Sequence, residues 1–157
     1  MGAVEDRLTE LGLDLPDVVP PVAAYIPALR QGDLVFTSGQ LPMVSGVMVQ
    51  TGKVGDGHGL VPPADAKALA QTCALNAIAA VKSVVGDLDK VTRVVKVVGF
   101  VASDPGFTGQ PGVVNGASEL LGKVFGDAGV HARSAVGVAA LPLDAPVEVE
   151  IIVAVRD

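Results

Sequence analysis

Two glutamates interrupt the most apolar run of the chain. In Val147–Val155 (VEVEIIVAV), Val147, Val149, Ile151, Val153 and Val155 form one face of a strand, and Glu148, Glu150, Ile152 and Ala154 form the other. A carboxylate on such a face is either part of a solvated edge or an acid in a partly dry cleft. In the second setting its pKa rises and it becomes a usable proton carrier. The preceding strand opens on Arg133 and continues through the small residues Ala135, Gly137 and Ala139. An arginine there either makes a surface ion pair or presents a fork to a ligand carboxylate. If the last two strands pair, Arg133 and a glutamate lie near one cleft. A third candidate is Thr37-Ser38-Gly39-Gln40, where a glycine within a strand marks a bulge with exposed amides. Tyr25, the single tyrosine, follows a proline-rich run and precedes Pro27, which pins it in place.

Other chemistries lack their residues. Phe36 stands where a G-x-S-x-G nucleophile elbow needs glycine. Gly55, Gly57 and Gly59 follow no strand that feeds a helix, and their loop has no Lys-Ser/Thr pair for phosphate. Two histidines and one cysteine, far apart, match no zinc, haem or iron–sulfur spacing. His58 and His131 have no acidic partner at useful spacing and read as structural. Cys73 lies on the apolar side of a helix and reads as inert core; a lone cysteine also suits a reducing cytosol. The net charge of −6 offers no basic patch for nucleic acid.

The elements that must position these residues follow from periodicity. Ala3–Leu11 has helical spacing, and Asp14–Pro21 reads as an extended connection. Leu34–Leu41 reads as a strand, Pro42–Val49 as a hairpin turning at Ser45-Gly46, and Gln50–Val61 as a glycine-rich loop. Pro62-Pro63 opens a long helix that Gly86 ends. Val91–Ala102 is a strand, Ser103–Gly112 a loop, and Val113–Phe125 a second helix. Arg133–Leu141 is a strand, Pro142–Pro146 a turn and Val147–Val155 the last strand. This order predicts a single α+β domain over residues 1–157, with 1–20 as N-terminal helix and connection and 21–157 as core. A mixed sheet carries two helices on one face, which leaves the other face bare and apolar. Half the residues are hydrophobic and only 18% are charged, against about 25% in a typical soluble domain. The longest clean apolar stretch, Ala135–Leu143, is broken by Pro142, so no membrane span is expected, and Met1–Glu10 has no apolar signal core. The surplus apolar surface therefore points to self-association.

Three blocks in order resemble the RidA/YjgF family of small imine deaminases. Tyr25 is followed by Asp33-Leu34-Val35-Phe36-Thr37-Ser38-Gly39-Gln40-Leu41-Pro42. Val114-Asn115 opens the second helix. Ala132-Arg133-Ser134 precedes Val138-Ala139-Ala140-Leu141-Pro142 and Val147-Glu148-Val149-Glu150. The resemblance implies a chorismate-mutase-like fold, a homotrimer and ligand clefts between subunits, in the cytoplasm. It implies that Arg133 grips the carboxylate of a 2-imino or 2-enamino acid and that Glu148 handles the attacking water, with Tyr25, Ser38, Gly39 and Asn115 lining the cleft. Ala135 stands where the family often has a cysteine. With the N-terminal helix and the longer Met43–Val61 and Ser103–Gly112 segments, this marks a divergent branch. The expected products are a 2-oxo acid and ammonia, and since an imine is already electrophilic the resemblance implies no metal or organic cofactor. The alternative is a non-catalytic binding protein for small carboxylates in the same cleft. By pattern alone, Glu148 and Glu150 are equally placed; only the resemblance favours Glu148.

Overall fold

The computed structural model describes residues 2–18 and 23–157. The helices are α1 (Ala3–Glu10), α2 (Pro63–Val85) and α3 (Gln110–Phe125). The strands are β1 (Ala28–Gln31), β2 (Leu34–Thr37), β3 (Met43–Val44), β4 (Val47–Met48), β5 (Val91–Ala102), β6 (Ala132–Val138) and β7 (Val147–Val155). One five-stranded sheet has the order β1-β2-β7-β5-β6, and only its β5–β6 pair is parallel. The mixed α+β class expected from the sequence is the one observed. The condition posed for Arg133 and the glutamates is not met: β6 and β7 do not pair, because β5 lies between them and bonds to both. The right-handed crossover through α3 returns β6 parallel to β5, on the side away from β7.

The alternation read in β7 decides which side of the sheet is covered. Val147, Val149, Ile151, Val153 and Val155 are all buried against the helices. In register with them, Val94, Val97 and Val101 of β5 and Val35 of β2 are completely buried. The opposite face carries Glu148, Glu150 and Ile152, flanked by Phe36 of β2 and by Phe100 and Val136 on β5 and β6. Phe36 and Val136 keep 37% and 43% of their surface exposed, so this face mixes bare apolar side chains with charged ones, Arg93 and Lys96 included, and no helix covers it in a single chain.

Several boundaries moved for local reasons. The α3 helix begins at Gln110, three residues before the expected start, with Pro111 in its first turn, where a missing N–H costs nothing. The Leu34–Leu41 strand stops at Thr37: the Ser38 amide still donates to the Pro27 carbonyl at 2.8 Å, opposite it in the β1–β2 register, but Pro27 has no N–H to return the bond. The short β1, Ala-Leu-Arg-Gln, has no β-branched residue and is defined by its pairing with β2. The expected β3–β4 hairpin forms, with Ser45 (φ 51°) and Gly46 (φ 78°) both left-handed as a tight two-residue turn requires. The expected Asp14–Pro21 connection is described only as far as Val18; the rest of it lies outside the described residues.

The central helix α2 is long and apolar enough, by length and composition, to cross a membrane. Here it is the core helix, with Ala66, Ala70, Cys73, Ala74 and Ala77 completely buried. Such small residues let α3 approach closely. At the crossing, Gly116 of α3 lies so near α2 that a Cβ there would overlap the Lys67 carbonyl oxygen. The eight-residue α1 is fastened by Asp89, whose carboxylate accepts from the amides of Ala3 (2.8 Å) and Val4 (2.9 Å).

The α2–α3 crossing yields a stability prediction. Gly116→Ala should cost about 1–3 kcal/mol through overpacking, seen as a Tm lower by several degrees. Gly122→Ala, on the same helix with open space around it, should leave Tm unchanged or raise it. Equal behaviour of the two variants would show that the crossing is not tight.

Candidate functional site

Arg133 is placed by β6 on the helix-covered side of the sheet, in register with the buried Val97. Its Nη1 donates to Asn115 Oδ1 at 2.7 Å and to Ser118 Oγ at 3.2 Å, and its Nη2 donates to the Pro111 carbonyl at 3.3 Å. All three acceptors belong to the first turns of α3, and the i, i+3 spacing of Asn115 and Ser118 puts them on one helix face. A guanidinium has five N–H donors and no acceptor. The protein occupies three; Nε–H and one Nη2–H meet no acceptor among the described residues. Nε and Nη2 share one edge of the planar group, at the spacing of a carboxylate's two oxygens. No carboxylate among the described residues pairs with Arg133, so its charge is not neutralised within the chain.

Behind Arg133 the network continues to a residue the sequence reading set aside. Ser118 Oγ lies 2.8 Å from His131 Nε2, and His131 Nδ1 lies 2.6 Å from the Gly129 carbonyl. Neither Ser118 nor His131 stood out in the sequence. The available signals were the i, i+3 pair on the helix and the i, i+2 spacing of His131 and Arg133 where β6 begins.

A second cluster surrounds Glu148. Phe36 pairs with Ile152 and Gln40 bridges to Val149, so the chain inserts one extra residue at Ser38-Gly39, the bulge the sequence suggested. Ser38 Oγ donates to the Ile26 carbonyl at 2.6 Å, which ties the segment after Tyr25 to the bulge. Gly39 lies directly against Glu148, where a Cβ would overlap the carboxylate. Glu148 is half-buried; burial pushes its carboxyl above the usual carboxylate range, and the negative charge of Glu150 adds to the rise. Tyr25, Ser38 and Gly39 line one pocket of about 410 Å³ with Leu41, Met43 and Asn76. Asn76 donates to the Leu41 and Met43 carbonyls at 3.0 Å each and so holds that wall. Cys73 is completely buried; burial, with Glu148 second, pushes its thiol far up, as an inert core residue requires.

The predicted residues therefore form two groups. Arg133 and Asn115 are bonded to each other; Tyr25, Ser38 and Gly39 share a pocket, with Glu148 against Gly39. Ala135 sits in register with Gly99 and packs on the core beneath α3. Arg133 and Glu148 do not meet within one chain. They occupy opposite faces, two strands apart (about 10 Å across) and three residues apart along the strand (about 10 Å more).

Comparison with known proteins gives a consistent result. Residues 5–154 match the family model described as "YjgF/chorismate mutase-like, putative endoribonuclease". A Trypanosoma cruzi protein, TCP17, is 43% identical over 155 residues, covering 97% of this chain and 94% of that protein. An Agrobacterium tumefaciens protein of unknown function has a similar crystal structure, with a TM-score of 0.87, 46% identity, and coverage of 98% of this chain and 94% of that one. The Escherichia coli protein TdcF, solved with bound serine, is similar at a TM-score of 0.61 and 25% identity, over 90% of this chain and 93% of that one.

The raised carboxyl of Glu148 fixes the sign of a pH effect. A carboxyl whose folded pKa lies above its unfolded value favours folding while protonated, and that contribution is lost as pH rises from the unfolded pKa through the folded one. Glu148→Gln should therefore match wild type at acid pH and become more stable than it as pH rises past the usual carboxylate range. Urea unfolding at several pH values measures this; a constant offset at every pH would refute the burial account.

Proposed function

Since the chain belongs to the YjgF/chorismate mutase-like family, we propose that it hydrolyses reactive 2-imino and 2-enamino acids to 2-oxo acids and ammonia, in clefts between the subunits of a homotrimer. The observation that carries this reading is the free edge of Arg133. Three neutral acceptors orient the guanidinium, and the two remaining donors make a fork for one small carboxylate. The serine bound to TdcF, a small amino acid, is a ligand of the same size and charge pattern.

The chemistry then asks little of the protein. An imine carbon is already electrophilic. Glu148, half-buried and pushed upward, takes a proton from water as the oxygen attacks that carbon. It gives that proton to nitrogen, which makes a carbinolamine; as the C–N bond breaks, the hydroxyl proton passes through the same carboxylate to nitrogen, the C=O bond forms, and ammonia leaves a 2-oxo acid, an enamine having first taken a proton on carbon to become the imine. Fixing the carboxylate at Arg133 aligns the carbon with the water. Because Arg133 and Glu148 of one chain face opposite ways, one cleft can use both only if it takes them from different copies. The uncovered apolar face around Phe36, Ile152 and Val136 supplies surface for that packing. The net charge of −6 argues against an RNA substrate, which needs a basic surface for its phosphates.

A second reading rests on the same edge of Arg133, which grips a carboxylate whether or not Glu148 reaches the molecule. It makes the protein a binding module for 2-oxo acids without turnover. Ammonia release from an imino acid generated in situ by an amino-acid oxidase separates the two. Activity should fall below detection in Arg133→Ala and by about 10²–10⁴-fold in Glu148→Gln. Saturable binding of 2-oxo acids without ammonia would leave the binding module. Sedimentation should report three times the 15.8 kDa chain mass, and a stable monomer would end the shared-cleft account.

A further inference from the structure

The Arg133 network contains one part that neither the family match nor the hydrolytic scheme uses. The Gly129 carbonyl can only accept, which places a hydrogen on His131 Nδ1. In the neutral ring, Nε2 is then an acceptor, and Ser118 Oγ, 2.8 Å away, donates to it. With its hydrogen directed to His131, the Ser118 oxygen offers a lone pair to Arg133 Nη1 at 3.2 Å. In this arrangement the Nη1 hydrogens of Arg133, the Ser118 hydroxyl and His131 Nδ1–H each find an acceptor. Turned away from His131, the hydroxyl would bond to a carbonyl one turn back in α3 and aim its lone pairs elsewhere.

We propose that His131, acting through Ser118, is a positioning residue for Arg133. The pair holds one Nη1 hydrogen while Asn115 holds the other, so the guanidinium turns its Nε/Nη2 edge outward to the ligand carboxylate. Without the Ser118 contact, Arg133 keeps one bond at each terminal nitrogen, to Asn115 and to the Pro111 carbonyl, and loses the third point that fixes its plane. This inference rests on reading Arg133 as the carboxylate fork, and its test separates the two claims.

Two measurements on the full chain decide it. The first is the NMR order parameter of the Arg133 Nε–H bond without ligand. The second is the Kd for 2-oxobutyrate by calorimetry. His131→Phe keeps the ring's bulk and removes the acceptor. It should lower the order parameter into the flexible range, below about 0.6, and weaken Kd about tenfold. His131→Gln, whose Oε1 can stand where Nε2 stood, should restore both. Ser118→Ala leaves the imidazole in place and should free Arg133 as His131→Phe does, which covers the case of a Phe variant that fails to fold. Unchanged Arg133 order in His131→Phe and Ser118→Ala overturns the inference, and so does a Gln variant as loose as Phe. Loss of Tm alone would mark His131 as merely structural and likewise overturn it. If 2-oxobutyrate does not bind wild type, or binds Arg133→Ala equally well, the carboxylate reading fails; the ligand-free order parameter still decides whether His131 positions Arg133.

Discussion

A five-stranded sheet with helices on one face has two surfaces with different obligations, and β7 carries the division within single steps of its sequence. Its valines and Ile151 turn toward α2 and α3 and are buried. Its alternate residues, Glu148, Glu150 and Ile152, turn the other way. A charge cannot be buried unpaired without large cost, so the glutamates are compatible with this strand only because that side is uncovered by helices. One slip in register would send both carboxylates into the alanine-lined core beneath α2. The fold is thus tied to the position of its acid: the alternation that buries the valines is the alternation that exposes Glu148.

Arg133 follows a different logic. It lies on the helix side, at the sheet's edge strand, where α3 supplies polar atoms. Its partners are an amide oxygen, a hydroxyl and a carbonyl, all neutral. Neutral acceptors fix the orientation of a guanidinium and leave its charge uncompensated. An aspartate at position 115 would neutralise the group and compete with any incoming anion. The carboxyl and the guanidinium of the candidate site thus each lie against an uncharged neighbour, Gly39 for Glu148 and Asn115 for Arg133.

Most of this order was legible in the residues. The β7 alternation, the bounds of β5 and β7, the Gly86 stop and the Ser45-Gly46 turn all follow from local periodicity and turn chemistry, and each is observed as read. The pairing of β6 was not, because sequence neighbours pair by default and only the α3 crossover places β5 between them. The first turn of α3 was hidden by Pro111-Gly112, a pair that reads as loop unless a helix is already known to start there. β1 was invisible because its stability comes from β2. At the site, residue types revealed Arg133, Glu148 and the Ser38-Gly39 bulge. They did not reveal Ser118 and His131, whose significance lies in mutual orientation across the α3–β6 gap, a relation with no local signature.

The fastening of α1 has a consequence for synthesis. Eight residues are too few to hold a helix in water, and the amides that open this one are satisfied by Asp89, a residue more than eighty positions later in the chain. As the polypeptide emerges from the ribosome, this helix has no cap until Asp89, more than eighty residues later, has been made and the turn before β5 has formed. The first helix thus waits on the middle of the chain, and its folding is tied to tertiary contact rather than to its own sequence.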